Sequence, residues 1–402
     1  MSATRARLSL PEPPAELRAL SQSLVARMRA RAGASGRLSF AEFMELALYE
    51  PGLGYYSAGL AKFGEGGDFV TAPELAGPDQ IGLVAGCLAR QAAEVGERLG
   101  APWSVLELGA GTGRLAADLL RALDREQGTL PQRYWILERS ADLRARQAAT
   151  LEARAPLLAE RVTWLEAPPE RPWSGVLLAN EVVDALAVER FRITADGPLQ
   201  IGVRFDGETP TWDAWPAAGA LAERVEALQA NLPSAMGDGH TSEVCITLPA
   251  WLKAVTASLA RGVALFIDYG YPRPLYYHPE RRDGTLVCHY RHRAHFDALR
   301  WPGLQDISAF VDFTALAEAA DAAELTVAGY VPQGRFLFDC GLESLVTDLP
   351  ALEPRARQAL AHELRELTLP EAMGEKFQAM ALTRDLPGPL LGFAPDDWRG
   401  RL

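Results

Sequence analysis

The run Val105-Leu106-Glu107-Leu108-Gly109-Ala110-Gly111-Thr112-Gly113-Arg114-Leu115 leaves the backbone few courses. Val105, Leu106 and Leu108 suit a strand buried on both faces of a parallel sheet. Gly109, Gly111 and Gly113 follow at once. Lacking a Cβ, they let the chain turn sharply and lie close to a ligand. Ala116, Leu119, Leu120 and Leu123 then recur at helical spacing. Strand, glycine turn and helix predict an open α/β sheet, whose ligands lie beyond the carboxyl ends of its strands. A dinucleotide fingerprint runs G-x-G-x-x-G, its third glycine letting helix and sheet pack closely. Here the glycines run G-x-G-x-G, and Arg114 stands where that third glycine would fall. Glu107 stands two residues before the first glycine. An ordinary strand-to-helix turn is the alternative reading.

The βα rhythm continues along the chain. Arg133 to Glu138 reads as a second strand and Val162 to Trp164 as a third. An acid ending the second strand takes ribose hydroxyls in the dinucleotide version. Glu138 holds that place, with a surface carboxylate or a helix-start partner as the alternative. Gly175 to Ala179 is a fourth strand, followed by Asn180-Glu181-Val182-Val183-Asp184 at the reactive rim. On a helical turn Glu181 and Asp184 would share one face. The other reading has Asn180 cap a helix and Asp184 face water. Gly262 to Gly270 is a fifth strand and brings Asp268 to the same rim. Thr326 to Tyr330 and Phe377 to Thr383 complete the set. Helices are expected over 14–32, 78–100, 313–325 and 352–368, and from Ser39, which forms a capping box with Glu42.

Three stretches break the rhythm. An N-terminal segment, 1–78, ends in a Gly/aromatic loop with Tyr55, Tyr56, Phe63 and Phe69, read as a lid over cofactor or substrate. The remainder, 79–402, is the core, with insertions at 187–250 and 271–312. The first insertion predicts a hairpin around Ala195-Asp196-Gly197-Pro198, a helix over 221–229, and His240 exposed in a loop. The second holds His289, His292 and His295, which could meet on a helix face. No carboxylate or cysteine completes a metal set there, so no metal is expected.

Composition narrows the function. The chain has 402 residues, 48% hydrophobic and 23% charged, as in globular proteins. No apolar run approaches the length of a membrane span. The net charge of −12 opposes a nucleic-acid partner, whose phosphates it would repel. Cys87, Cys245, Cys288 and Cys340 are far apart and read as free thiols of a reducing compartment. The N-terminal arginines, Arg5 and Arg7 among them, suggest a mitochondrial presequence. Glu12, Glu16 and the prolines at 11, 13 and 14 oppose one, so a cytoplasmic protein is expected.

Taken in order, these stretches resemble the MidA-like family of class I S-adenosylmethionine (SAM) methyltransferases. The resemblance spans roughly 36–385. It rests on Phe43 to Tyr49, Gly54-Tyr55-Tyr56, Gly67 to Glu74, Glu107 to Gly113, and Asn180-Glu181 with Asp184-Ala185-Leu186. Ile267 to Gly270, Gly284-Thr285-Leu286 and Met373-Gly374 extend it. Ala187 stands where proline is usual, and Ser308 and Phe310 where threonine and histidine are usual. The resemblance implies an α/β Rossmann-like sheet of seven strands with helices on both faces. It implies SAM as cofactor, held by Glu107, Gly109, Gly111, Gly113, Glu138 and Asn180, with Thr71, Pro73 and Glu74 beside them. It further implies methylation of an arginine in a protein substrate, a respiratory-complex subunit among the candidates, with oligomers possible. Glu181, Asp184 and Asp268 are the expected catalytic carboxylates. A SAM-binding assembly factor with little catalysis and a small-molecule methyltransferase are the alternatives.

Overall fold

A computed structural model describes residues 10–59, 71–100, 102–207, 209–347, 352–393 and 397–402. The chain forms two compact units. The core unit comprises Thr71–Asp184, Thr247–Tyr276 and Phe310–Leu402; the accessory unit comprises Met1–Val70, Ala185–Ile246 and Tyr277–Ala309.

The core unit is built on seven strands: β1 (Ser104–Leu108), β2 (Arg133–Leu137), β3 (Val162–Leu165), β4 (Trp173–Asn180), β5 (Leu259–Tyr271), β6 (Thr326–Pro332) and β7 (Phe377–Arg384). Their order is β3-β2-β1-β4-β5-β7-β6. The first five run parallel, and β7 is antiparallel to both its neighbours. The short strand Val311–Asp312 lies parallel to the end of β5. Alternate residues of each central strand enter opposite faces of the sheet. Val105, Val176, Leu178, Val263 and Leu265 share one core with the helices Leu83–Leu99 and Arg114–Ala122. On the other face Phe266 meets Trp251 of the helix Leu248–Thr256, 6.2 Å between ring centres. Both faces are thus covered, as the expected Rossmann-like sheet of seven strands requires. Gly175 marks how tightly β1 and β4 approach: with φ at +150°, a Cβ there would stand 1.8 Å from the Ser104 carbonyl oxygen.

The accessory unit has its own core, in which Leu24, Phe43 and Met44 of the N-terminal segment meet Val203 and Ile307 of the two intervening segments. The hairpin forms as expected, Glu189–Thr194 against Gly197–Arg204. So does the capping box: the Ser39 hydroxyl accepts from Glu42 N (3.2 Å) while Ser39 N donates to the Glu42 carboxylate (3.0 Å). Tyr55 is fully buried, and the Tyr56 hydroxyl donates to Asp306 at 2.8 Å. Phe63 and Phe69, with residues 60–70 of the expected lid, lie outside the described residues, as do Arg5 and Arg7.

Three local expectations are corrected. Residues 181–186 form bends and a turn, not a helical turn, because Glu181 leaves β4 with φ at +55°. His240 is buried (1% exposed), its carbonyl bonded to Ile193 N beside the hairpin. His289 and His295 stand on paired strands, Val287–Tyr290 and Arg293–His295, joined through Arg291 and His292 at positive φ, so no helix face gathers the histidines. Among the described residues no group of three or more metal-ligating side chains forms, and no helix is long and apolar enough to cross a membrane. None of the four cysteines is in a disulfide.

Candidate active site

The sheet reverses its order between β1 and β4, and open α/β sheets bind ligands in the crevice beyond such a point. Leu108, the last residue of β1, pairs with Ala179, the last but one of β4. From β1 the chain enters the glycine turn, where Gly109, Gly111 and Gly113 have φ of +62°, +54° and +84°. A side chain at Gly113 is excluded twice over: its Cβ would be strained by φ and would stand 2.9 Å from Gln147 Cα. Arg114 explains the missing third glycine. Its guanidinium pairs with Asp118 (2.7 Å) and donates to the carbonyls of Gly77 (2.7 Å) and Gln80 (3.1 Å). Arg154 and Arg121 meet the same buried Asp118 carboxylate. This hub ties the helix after the glycine turn to the backbone at 77–82.

Glu107 lies within β1, 2% exposed, and accepts a hydrogen bond from the Tyr134 hydroxyl of β2 at 2.7 Å. Burial pushes its carboxyl up to about 7, with the Tyr134 bond pulling the other way. Glu138, just past β2, accepts from Ser140 N (2.8 Å) and from Gln147 Nε2 (3.3 Å). Burial raises its carboxyl too.

Beyond β4 three carboxylates gather. Asp268, 1% exposed on β5, accepts from three successive amides, Val182 N (3.2 Å), Val183 N (2.9 Å) and Asp184 N (3.2 Å), and through its other oxygen from Tyr269 N (2.9 Å). Burial, then the Asp184 and Glu181 charges, drive its carboxyl well above the usual range. Asp268 therefore braces the turn that carries the other two acids. Glu181, half-buried, has its backbone N–H on the Ile267 carbonyl (2.9 Å), and its carboxylate accepts from Ala72 N and from Asn180 Nδ2, both at 3.1 Å. Asn180 Oδ1 is buried with no protein partner. Asp184 is buried and accepts from the Tyr269 hydroxyl. Tyr269 stands in an aromatic group, edge-on to Phe310 (5.0 Å) and Phe377 (5.4 Å).

Thr71, Pro73 and Glu74 reach this rim. Glu74 closes a short turn onto the Thr71 carbonyl, and its carboxylate accepts the Thr112 hydroxyl of the glycine turn. Pro73 is buried in that turn. The sequence reading missed Tyr134, Thr112 and Gln147. Gln147 had a signal: it lies midway between Leu143 and Leu151 on the buried stripe of its helix, Ala141–Arg154, where a polar residue calls for a partner.

A family model described as "Putative S-adenosyl-L-methionine-dependent methyltransferase" matches residues 87–331. A crystal structure of a superfamily member from Burkholderia thailandensis bound to S-adenosyl-homocysteine is 42% identical, with a TM-score of 0.89 over 98% of this chain and 100% of that one. A native structure of a superfamily protein from the same organism is 40% identical, with a TM-score of 0.87 over the same shares. The Danio rerio "Protein arginine methyltransferase NDUFAF7, mitochondrial" is 28% identical over 89% of this chain and 86% of its own length. The expectation of a cytoplasmic protein is corrected by such relatives, which are mitochondrial by name. Glu12, Glu16 and the N-terminal prolines, from which that expectation was drawn, bear on a presequence helix and not on the compartment of the folded chain.

Proposed function

The chain belongs to this S-adenosyl-L-methionine-dependent methyltransferase family, and from that premise we propose that it methylates a guanidinium nitrogen of an arginine in a partner protein. The residues present suit the cofactor. The glycine turn offers a bare backbone, Glu138 has acceptors for ribose hydroxyls, and Asn180 has a buried oxygen without a protein partner. Glu107 supplies a carboxylate for an ammonium. When bound, the cofactor supplies an activated methyl group on a sulfonium that leaves without acid assistance.

The protein's own task is to hold the nucleophile. A guanidinium is charged at any physiological pH, which makes it a poor nucleophile. Paired carboxylates can grip two of its nitrogens and concentrate the positive charge there, leaving the third with more electron density. The observation that carries the proposal is the placement of Glu181 and Asp184 on one turn beyond β4, braced by Asp268 of β5. Holding an acceptor in alignment with the methyl donor is itself a large rate effect. The relatives' name supports arginine in a protein as the acceptor, and the aromatic group around Tyr269 suits a cationic side chain.

The test is transfer of labelled methyl groups from SAM into arginine-bearing protein, with amino-acid analysis of the product. We expect Glu181→Gln to bind S-adenosyl-homocysteine within about threefold of the parent and to lose about 100-fold or more in transfer. Unchanged turnover in that variant would refute its role. Label found on another residue type would refute arginine as the acceptor.

A further inference from the structure

We propose that Gln147 is a positioning residue for ribose recognition: it aims the Glu138 carboxylate so that each of its oxygens keeps a lone pair for one of two vicinal hydroxyls. The inference rests on the cofactor reading above and adds to it the residue on which that specificity depends.

Gln147 is fully buried, and each polar atom of its amide is used. Nε2 donates to the Gly111 carbonyl (3.1 Å) and to Glu138 Oε2 (3.3 Å), while Oε1 accepts from Trp164 Nε1 (2.8 Å). An indole N–H can only donate, so Trp164 decides which end of the amide is oxygen. The nitrogen end must then face the glycine turn and Glu138. On Glu138 the other oxygen, Oε1, takes Ser140 N at 2.8 Å. Each carboxylate oxygen accepts about two hydrogen bonds. Ser140 N and Gln147 Nε2 are the one close donor on each oxygen, with the Arg139 backbone N–H a lesser pull on the carboxylate, so an acceptor site stays open on each, side by side. Two adjacent hydroxyls match that pair; a single hydroxyl uses half of it. The same amide grips the carbonyl in the glycine turn, so the end of β2 and the turn after β1 are held in one register.

Titration calorimetry of the full chain with S-adenosyl-homocysteine and its 2′-deoxyribose counterpart tests this. In the parent, the ribose compound should bind about tenfold tighter, equivalent to about 1.4 kcal/mol. Gln147→Met keeps the volume and removes the hydrogen bonds. It should cut that preference to about twofold or less while leaving the deoxy compound's affinity within about threefold. Combined with Glu138→Gln, the loss should be well short of additive, because both changes disable one acceptor pair. Trp164→Phe frees the amide to flip and should erode the preference in the same way, which guards against a failure of Gln147→Met to fold. A merely structural role predicts that both ligands weaken together with their ratio intact, and that outcome overturns the proposal. A parent protein that binds neither ligand overturns the cofactor reading instead. A parent that binds both equally removes the ribose role of Glu138 and that of Gln147 with it.

Discussion

Glu107 is a carboxylate buried beside one donor, Tyr134. Its folded-state value of about 7 lies above the ordinary 4.5 of a glutamate, so the folded chain holds that proton more tightly than the unfolded chain. The resulting stability is complete below pH 4.5 and is lost as the pH rises through about 7. Glu363, also raised by burial to about 7, acts in the same sense, so the comparison must be between variants rather than between pH values alone. In the ligand-free protein, Glu107→Gln should match the parent near pH 4.5 and exceed it by about 3 kcal/mol at pH 8, an upper figure. Denaturant melts across that range check it; a difference that shrinks with rising pH would contradict it. A ligand ammonium near Glu107 draws its pKa down, so binding at pH 7 should release protons. Calorimetry in two buffers of unequal ionisation heat reads that release.

The turn at 181–184 shows what an element can be asked to do. Its first residue, Glu181, takes a backbone conformation uncommon for a residue with a side chain, of the kind that persists where surroundings overdetermine it. The overdetermination is visible: three consecutive amides of the turn point at one oxygen of Asp268. Asp268→Ala removes the acceptor of all three amides at once. The expected result is a loss of transfer of about 100-fold with binding of S-adenosyl-homocysteine held within about fivefold, since the acids move and the glycine turn does not. Equal losses in binding and transfer would instead make Asp268 a support of the whole rim. The strand elements were legible in the sequence because each declares itself locally. Val176 to Ala179 is an apolar run ending in polar residues, and Ser39 with Glu42 sets a helix start within four positions. The braced turn was not legible, because its anchor lies more than eighty positions away, on β5.

For the molecule as a unit of stability, the site offers mass action. A ligand that binds only the folded core, present at 100 times its dissociation constant, stabilises that fold by about 2.7 kcal/mol. S-adenosyl-homocysteine should therefore raise the unfolding transition of the core unit. It should also slow amide exchange over 104–113 and 133–147, which hold the glycine turn, Glu138 and Gln147. With two compact units in one chain, a single melting temperature need not describe the whole, so exchange is the decisive readout. No added protection in either stretch would place the ligand elsewhere.

Periodicity and spacing determine whatever is decided within a few residues. Val105 to Gly113 had to be a strand and a glycine turn, and the alternation of strand and helix had to give an open parallel sheet. The acids at strand ends follow from that, because in a parallel sheet the strands end at one rim. What lies between distant segments was left to the fold. Gln147 could be seen as a polar residue on an apolar stripe, but its partners Gly111 and Trp164 come from different loops and strands. His240, polar and just after Gly237 and Gly239, reads as exposed until the hairpin closes over it. Likewise Leu24, Val203 and Ile307 belong to one core only once the chain has returned to it twice. Local pattern sets which face of an element is apolar; only the register and order of the packed elements select the face it meets.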